Sequence, residues 1–371
     1  MTAARPLRIV HAADLHLDSP FQSLTREQAA LRRAEQRTLL SRIAALAAEQ
    51  QADMLLLAGD LFDSEAAFSD TARLVAQVLS ALPIPVFIAP GNHDPWHEHS
   101  AWAGLSLGPN VHLFTREEPT YVLLPELRAR VWGAAFTGPS KAAQLAGFAP
   151  EKLPGVTDLL VLHGEVGRPG SVYGPISLAA LAASGMDYCA LGHIHRYEGP
   201  AYAGSVCYAW PGCPEGRGFD EAGEKGVLVT EVLPGRCRVR FLPLDGRRYE
   251  TIDVPLSDET DPFDAVAAAL PSDAQKHVLR LRLTGEITVP PDLPALRRAL
   301  EGRCFALELR DETRPPQALW DHRGTDTLRG LFLTTLRRRY DAATQASERE
   351  RIVQAVRWGL RAMENGEELP L

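Results

Sequence analysis

The 371 residues, 45% hydrophobic and 23% charged, can bury a full core as one large domain with smaller appendages, which excludes a disordered or collagen-like chain. No run reaches the roughly eighteen apolar residues needed to span a bilayer, so no membrane segment is expected. The net charge of −8 weighs against nucleic acid, but carboxylates that bind divalent cations would have their charge offset, so charge alone does not choose the substrate.

Residues 1–6 run straight into an apolar stretch, without the longer hydrophobic region and cleavage site of a secretory signal, which predicts a cytoplasmic protein. Residues 8–14 (RIVHAAD), 53–60 (DMLLLAGD), 85–94 (PVFIAPGNHD), 158–165 (DLLVLHGE) and 187–195 (DYCALGHIH) share one design, a short apolar run ending in polar residues. They read as buried strands. Between the first two, Thr25 and Gln28 fit a capping box, and Leu39, Ile43, Leu46 and Ala47 share a helix face. Between the next two, Leu74, Val78 and Leu82 repeat at helical spacing after a cap at Ser69 or Asp70.

Strands alternating with helices predict βαβ units on a largely parallel sheet, whose ligands bind beyond the C-terminal strand ends. Residues 226–244 read as a hairpin around Pro234-Gly235 that closes a first domain, 1–244. Residues 245–316 alternate strand and helix as a small α+β module. After the Pro315-Pro316 linker signal, segment 317–371 reads as a helical hairpin: Leu328, Leu331, Phe332 and Leu336 form one apolar face. Ser347 and Glu350 box the start of a second helix carrying Ile352, Val356, Leu360 and Met363. Cys189, Cys207, Cys213, Cys237 and Cys304 form no C-x-x-C pair and are expected to be reduced and structural.

The chemistry concentrates at the strand ends: Asp14-Leu15-His16, Gly59-Asp60, Gly91-Asn92-His93-Asp94, His163-Gly164 and Gly192-His193-Ile194-His195. Mixed carboxylate, amide and imidazole donors suit manganese, iron or zinc rather than calcium. Taken singly, each motif reads as a turn or a cap; five of them, each after its own apolar run, read as a metal site. Asp63 and His11 fit either support of the ligands or strand-end and cap roles. His97, His99, His112, His277 and His322 lack such a setting and read as structural or surface residues.

With D-x-H, G-D, G-N-H-D, H-G and G-H-x-H in that order, the first 200 or so residues resemble the calcineurin-like metallophosphoesterase superfamily. The resemblance implies a sandwich of two mixed sheets flanked by helices. It also implies that Asp14, His16, Asp60 and His195 hold one divalent cation while Asp60, Asn92, His163 and His193 hold a second, most readily Mn2+. Asp60 would be the bridge, and two cations about 3.5–4 Å apart could grip one phosphate and activate water. His93 would face the scissile phosphate as a proton donor, with Asp94 fixing its orientation or raising its basicity.

The segments RIVHAADLHLDSPF, LLLAGDLFDS and residues 202–226 resemble the bacterial SbcD/YhaO class of DNA repair exonucleases. That resemblance implies a DNA substrate, with residues 245–316 as a capping domain beside the DNA groove. It also implies a helical tail that engages a coiled-coil ATPase of the SbcC or YhaN kind; packing on the parent domain explains the tail's apolar faces equally well. Homodimers are common in the family. A small-molecule phosphodiesterase or pyrophosphatase of the same superfamily is the alternative. Arg337-Arg338-Arg339 reads as a solvated helix face, and Trp96, Trp102 and Tyr173 as core aromatics or stacking platforms.

Overall fold

The computed structural model describes residues 5–65, 67–314, 316, 320 and 326–365, apart from the side chains of 346, 350, 364 and 365. It divides into two compact units, Met1–Arg248 and Tyr249–Leu371. In the first, β1 (Leu7–Ala12), β2 (Met54–Leu57), β3 (Val86–Ile88) and β4 (Val111–Leu113) run parallel. The hairpin β11 (Gly226–Leu233) and β12 (Arg236–Pro243) extends that sheet antiparallel beside β1. A second six-stranded sheet contains β5 (Thr120–Leu124), β6 (Ala129–Gly133), β7 (Thr157–His163), β8 (Tyr188–Gly192), β9 (Ala201–Ala203) and β10 (Val206–Ala209). It is parallel through β6-β7-β8-β10 and closed by antiparallel edges β5 and β9.

Side chains alternate across a strand, so the central strands β2, β3, β7 and β8, buried on both faces, read as largely apolar runs, whereas the edge strands β5 and β12 alternate with exposed positions. Ile9, Met54, Leu56 and Phe87 of the first sheet meet Val131, Leu159, Val161 and Tyr188 of the second. The opposite face of the first sheet, through Val10, Leu55, Leu57 and Ile88, packs on α1 (Arg26–Glu49) and α2 (Ser69–Ser80). Leu160, Leu162 and Leu191 of the second sheet pack with Leu181 of α3 (Leu178–Ser184). The result is two mixed sheets between helical layers.

The expected capping box is present: Thr25 accepts from the Gln28 N–H, and the Gln28 side chain accepts from the Thr25 N–H. The start of α2 differs from expectation, since Phe68 occupies the cap position and no side chain caps it. Its buried face is also rotated by one residue. Val75, Leu79, Ala72 and Ala76 are buried while Leu74 and Val78 lie half-buried at the flank, because the face pressed on a flat sheet is centred by the sheet and not by helical periodicity alone.

In the second unit, β13 (Tyr249–Pro255), β14 (Val278–Thr284) and β15 (Ala306–Asp311) form a parallel sheet covered by α4 (Pro262–Ala269) and α5 (Leu293–Ala299). Helices α6 (Leu328–Ala342) and α7 (Ala346–Asn365) pack on each other through Leu333, Val356 and Leu360, with Trp320 against them. Here the expected apolar face is corrected. Leu328 and Leu331 are 74% and 68% exposed, and Leu333 takes the central place. Gly359 allows this close packing, since a Cβ there would meet the Phe332 ring at 2.1 Å. Ser347 lies inside α7, which begins at Ala346. The Glu350 side chain, Pro315 and His322 lie outside what the structure describes. Arg337 pairs with Asp341 at 2.9 Å and covers Trp320 and Tyr340, as a helix-surface arginine does. Among the described residues, no helix is long and apolar enough to cross a membrane, and all five cysteines are free.

His11 sits on the inner face of β1, wholly buried. The Tyr188 hydroxyl donates to its Nδ1 at 2.8 Å, and its Nε2–H donates to the Leu191 carbonyl at 3.2 Å. It therefore ties β1 to the end of β8, where the Gly192-His193 turn begins. Burial pushes its pKa down to about 3, against the smaller opposing effect of the Leu191 carbonyl. The folded state then refuses a proton that the unfolded chain accepts below about 6.5, so this contribution to stability is lost as pH falls from about 6.5 toward 3. In denaturant titrations, the unfolding free energy of His11→Phe should gain on that of the wild type by about 2 kcal/mol between pH 7 and pH 5.

Candidate metal centre

The two sheets deliver their polar motifs to one place. Asp14 and His16 follow β1, Asp60 follows β2, Asn92 and His93 follow β3, His163 ends β7, and His193 and His195 follow β8. The backbone turns sharply to do this. Asp14 (φ 55°), His16 (φ 44°), Asp60 (φ 51°) and His193 (φ 98°) are left-handed, at a cost of about 1–2 kcal/mol each for non-glycine residues. Cross-loop bonds hold them there: Asp14 N–H to Gly59 O at 3.0 Å, His16 N–H to Asp60 O at 2.9 Å, and His93 N–H to Asp60 Oδ1 at 2.9 Å. The His193 N–H reaches both Asp14 carboxylate oxygens at 3.0 and 3.1 Å. The two sheets come so close that a Cβ on Gly192 would lie 1.8 Å from the Ala58 carbonyl, and within the first sheet the β2 and β3 turns are so tight that one on Gly91 would lie 2.1 Å from Asp60 Oδ1. Only glycine fits either position.

Four imidazoles share one arrangement. His16 Nδ1 faces Asp63 Oδ1 at 3.3 Å, His195 Nδ1 faces Glu221 Oε1 at 2.7 Å, His163 Nδ1 faces the Ala58 carbonyl at 2.9 Å, and His193 Nε2 faces Glu165 Oε1 at 3.4 Å. An oxygen acceptor on one ring nitrogen fixes the proton there and leaves the other nitrogen as a lone pair. Those lone pairs all point inward. His16 Nε2 and His195 Nε2 are 3.2 Å apart, and His163 Nε2 and His193 Nδ1 are 3.3 Å apart, with Asn92 Oδ1 3.0 and 3.1 Å from that second pair. Asp60 Oδ2 lies 3.7 Å from His16 Nε2 and 3.4 Å from His163 Nε2, between the two groups. Donors bound to one cation at about 2.0–2.2 Å stand roughly 3.0–3.5 Å from one another, so these separations fit divalent ions. Asp14–His16–His195, His16–Asp60–His93 and Asp14–Asp60–His163 each bring their ligand atoms within 4.8 Å of one another.

Electrostatics follow from the geometry. Burial opposes ionisation of Asp60, but His163, His16 and His93 outweigh it and hold the carboxyl far below the usual range. Burial would lower His163, yet Asp60 and Asp14 push it up to about 9. A positive charge is therefore favoured beside Asp60, and a cation there would displace the His163 proton.

His93 is exposed, edge-on to His16 at 4.8 Å, and its Nδ1–H donates to the Asp63 carbonyl at 2.9 Å, which leaves Nε2 toward solvent. Asp94, expected to orient it, does something else. Its buried carboxylate accepts the N–H groups of Gly91, Asp60, Leu61 and Phe62, and so clamps the β2 and β3 turns together. Burial and the Asp60 charge push Asp94 upward, while these backbone donors favour the ionised form. Backbone N–H groups clustered at adjacent strand ends take a carboxylate more readily than a neighbouring side chain does.

Several supporting residues escaped the sequence reading. Arg217 bonds Asp63 at 2.9 Å and also grips Glu221, so one guanidinium braces the carboxylates behind both His16 and His195. Arg32, fully buried in α1, holds Glu215 and the Gly216 carbonyl and thereby fixes this segment. Trp210 Nε1–H reaches the carbonyls of Gly164 and Gly192, both at 3.1 Å, and Gln144 holds the His163 carbonyl at 2.8 Å. The i, i+4 pair Arg217–Glu221 was the one local signal. Asp63 joins the site through His16 and Ser19.

The remaining aromatic and histidine expectations separate cleanly. Trp102 is core, its indole N–H donating to the Asp94 carbonyl at 2.7 Å, and Trp96 packs half-buried on the same cluster. Tyr173 is 40% exposed and lies over His193 at 5.1 Å. His97 faces Glu65, His99 is exposed, His112 packs between Phe87 and Phe114, and His277 is buried beside Asp273.

A family model described as calcineurin-like phosphoesterase matches residues 7–197. The uncharacterized metallophosphoesterase YhaO of Bacillus subtilis (strain 168) is 32% identical over 247 residues, 63% of this chain and 60% of that protein. The SbcD component of nuclease SbcCD from the same organism is 26% identical, with 62% and 67% covered. Its Rhodobacter capsulatus counterpart, also named as the SbcD component of nuclease SbcCD, is 27% identical, with 84% and 89% covered. The chain thus spans about three fifths of YhaO. Arg217 and Glu221 lie beyond the family match and yet brace two histidines within it. Glu221→Gln should weaken divalent-metal binding at the His16–His195 side by about 10–100-fold in calorimetric titrations.

Proposed function

The chain belongs to the calcineurin-like phosphoesterase family, and from that premise we propose that it is a two-metal phosphodiesterase that cuts DNA. The carrying observation is the set of four imidazoles whose outer nitrogens face oxygen acceptors and whose inner lone pairs surround Asp60 and Asn92. Asp14, His16, Asp60 and His195 would hold one cation, and Asp60, Asn92, His163 and His193 the other; the mixed donor set suits manganese, iron or zinc, of which the family resemblance favours Mn2+. Once bound, such a pair neutralises phosphate charge and lowers the pKa of water.

The chain's own residues do the rest. Asp60, buried and ionised, supplies the shared negative charge. His93 is exposed and held by the Asp63 carbonyl through Nδ1–H, so that as the imidazolium it can pass its Nε2 proton to a departing alkoxide. Asp94 keeps the Asp60 and His93 turns in register, which makes it a positioning residue. Gly59, Gly91 and Gly192 remove the side chains that would fill the centre.

DNA as substrate draws support from the relatives named as nuclease components. The α/β module at 249–311 follows the first unit in the chain, the order expected of a capping domain. A coiled-coil ATPase of the SbcC or YhaN kind fits the tail, where Leu328, Leu331 and Trp358 are exposed. The purified protein should degrade end-labelled DNA with manganese and stop on chelation. His93→Ala should lower turnover by about 10²–10⁴-fold while calorimetry still finds two bound ions. Unchanged turnover in that variant would remove His93 from the mechanism.

A further inference from the structure

One open edge of the sandwich is formed by β12 from the first sheet and by β9 and β10 from the second, with Tyr197 stacked on Phe241 at 5.0 Å. Strand alternation sends Cys207 of β10 and Cys237 of β12 into the core between the sheets. There the Cys237 thiol donates a hydrogen bond to the Cys207 sulfur, so two thiols from different sheets meet. The Tyr202 hydroxyl, opposite Cys207 in the β9–β10 ladder, donates to the same sulfur. Cys207 is buried, Cys237 half-buried and Tyr202 exposed, which places the pair at the rim of the core, within reach of a small oxidant.

The other three cysteines are placed differently. Cys189, one strand from Cys207, points to the opposite face of its sheet with Leu160 and Leu191. The Cys213 thiol donates to the His195 carbonyl at 3.5 Å, and Cys304 belongs to the second unit. The hydrogen bond from Cys237, joined by that from Tyr202, holds the Cys207 thiol below its ordinary value against burial, while Cys237 is pushed up by the same bond and by burial. A thiolate is the nucleophile toward peroxide, and a thiol in contact with it resolves the oxidised form. We propose that Cys207 and Cys237 are a peroxide-responsive dithiol whose disulfide staples the open edge of the sandwich, whatever the metal centre cleaves.

The Cys207 thiolate attacks one oxygen of hydrogen peroxide, the O–O bond breaks, and the departing hydroxide takes up a proton as water. The Cys237 sulfur then attacks the Cys207 sulfenic acid. The S–S bond forms, the S–O bond breaks, and a second water carries off the hydroxyl with the Cys237 proton. Two electrons leave the sulfurs and reduce the peroxide. The bridge closes a loop of about thirty residues, long enough for a disulfide to restrict the unfolded chain appreciably. Trp210, Arg217 and Glu221, which brace the histidine turns, all lie within that loop.

The test treats the full chain, first reduced and freed of small thiols, with hydrogen peroxide and then catalase. Titration in denaturant should find two of the five thiols lost. The intact mass should fall by about 2 Da, and peptide mapping should join Cys207 to Cys237. The thermal midpoint should rise by about 5 °C and return on adding dithiothreitol. In Cys237→Ser, which lacks the resolving thiol, peroxide should leave a dimedone-reactive sulfenic acid at Cys207 and no gain in midpoint. A disulfide joining other cysteines, oxygen added to the wild type without this crosslink, or a crosslink that leaves the midpoint unchanged would overturn the proposal. The wild-type map and midpoint decide this even where the variant does not fold.

Discussion

Four nitrogen lone pairs held 3.2–3.3 Å apart in pairs, around a buried carboxylate, repel one another unless positive charge lies among them. That constraint organises the first unit. Each ring is pinned from outside by an oxygen, each oxygen is pinned in turn, and the strained left-handed turns at Asp14, His16, Asp60 and His193 persist because cross-loop hydrogen bonds hold them. Strain of this kind survives where surrounding structure determines it, and here it coincides with the candidate ligands.

The sandwich explains why the ligands can come from such distant parts of the chain. Both sheets are parallel at their centres, so their strand ends line up along one edge, and crossover helices sit on the outer faces where they cannot obstruct it. His11 and Asp94 then act as ties. One joins β1 to the end of β8 across the sandwich, and the other joins the β2 and β3 turns within one sheet. Neither needs to touch a substrate for its loss to shift the centre.

Most elements of the first unit were legible because burial on both sheet faces writes an uninterrupted apolar run, and the turn beyond it writes glycine and polar residues. Strands β4, β5, β6, β9 and β10 were missed. β5 alternates half-buried and exposed, β9 has three residues, and none ends in a ligand motif. Helix faces were legible only to within a residue. Leu74 and Val78 have the same spacing as the buried Val75 and Leu79, and Leu328 and Leu331 repeat as regularly as the positions that pack. Spacing gives a helical period, while the partner surface chooses its phase.

By itself, then, the sequence determined the βαβ order and the five polar motifs at strand ends, since each motif is local and follows its own strand, and the family resemblance those motifs carry singled out Asp14, His16, Asp60, Asn92, His163, His193 and His195 as candidate ligands. Only the tertiary structure decided what stands behind those residues. Glu221 reaches His195, Arg217 reaches Asp63, and Trp210 reaches two histidine loops through contacts between segments of no regular period, and Asp94 turned from His93 to four backbone N–H groups. A side chain's partner at that range depends on where two loops end in space, and no pattern along one chain records it.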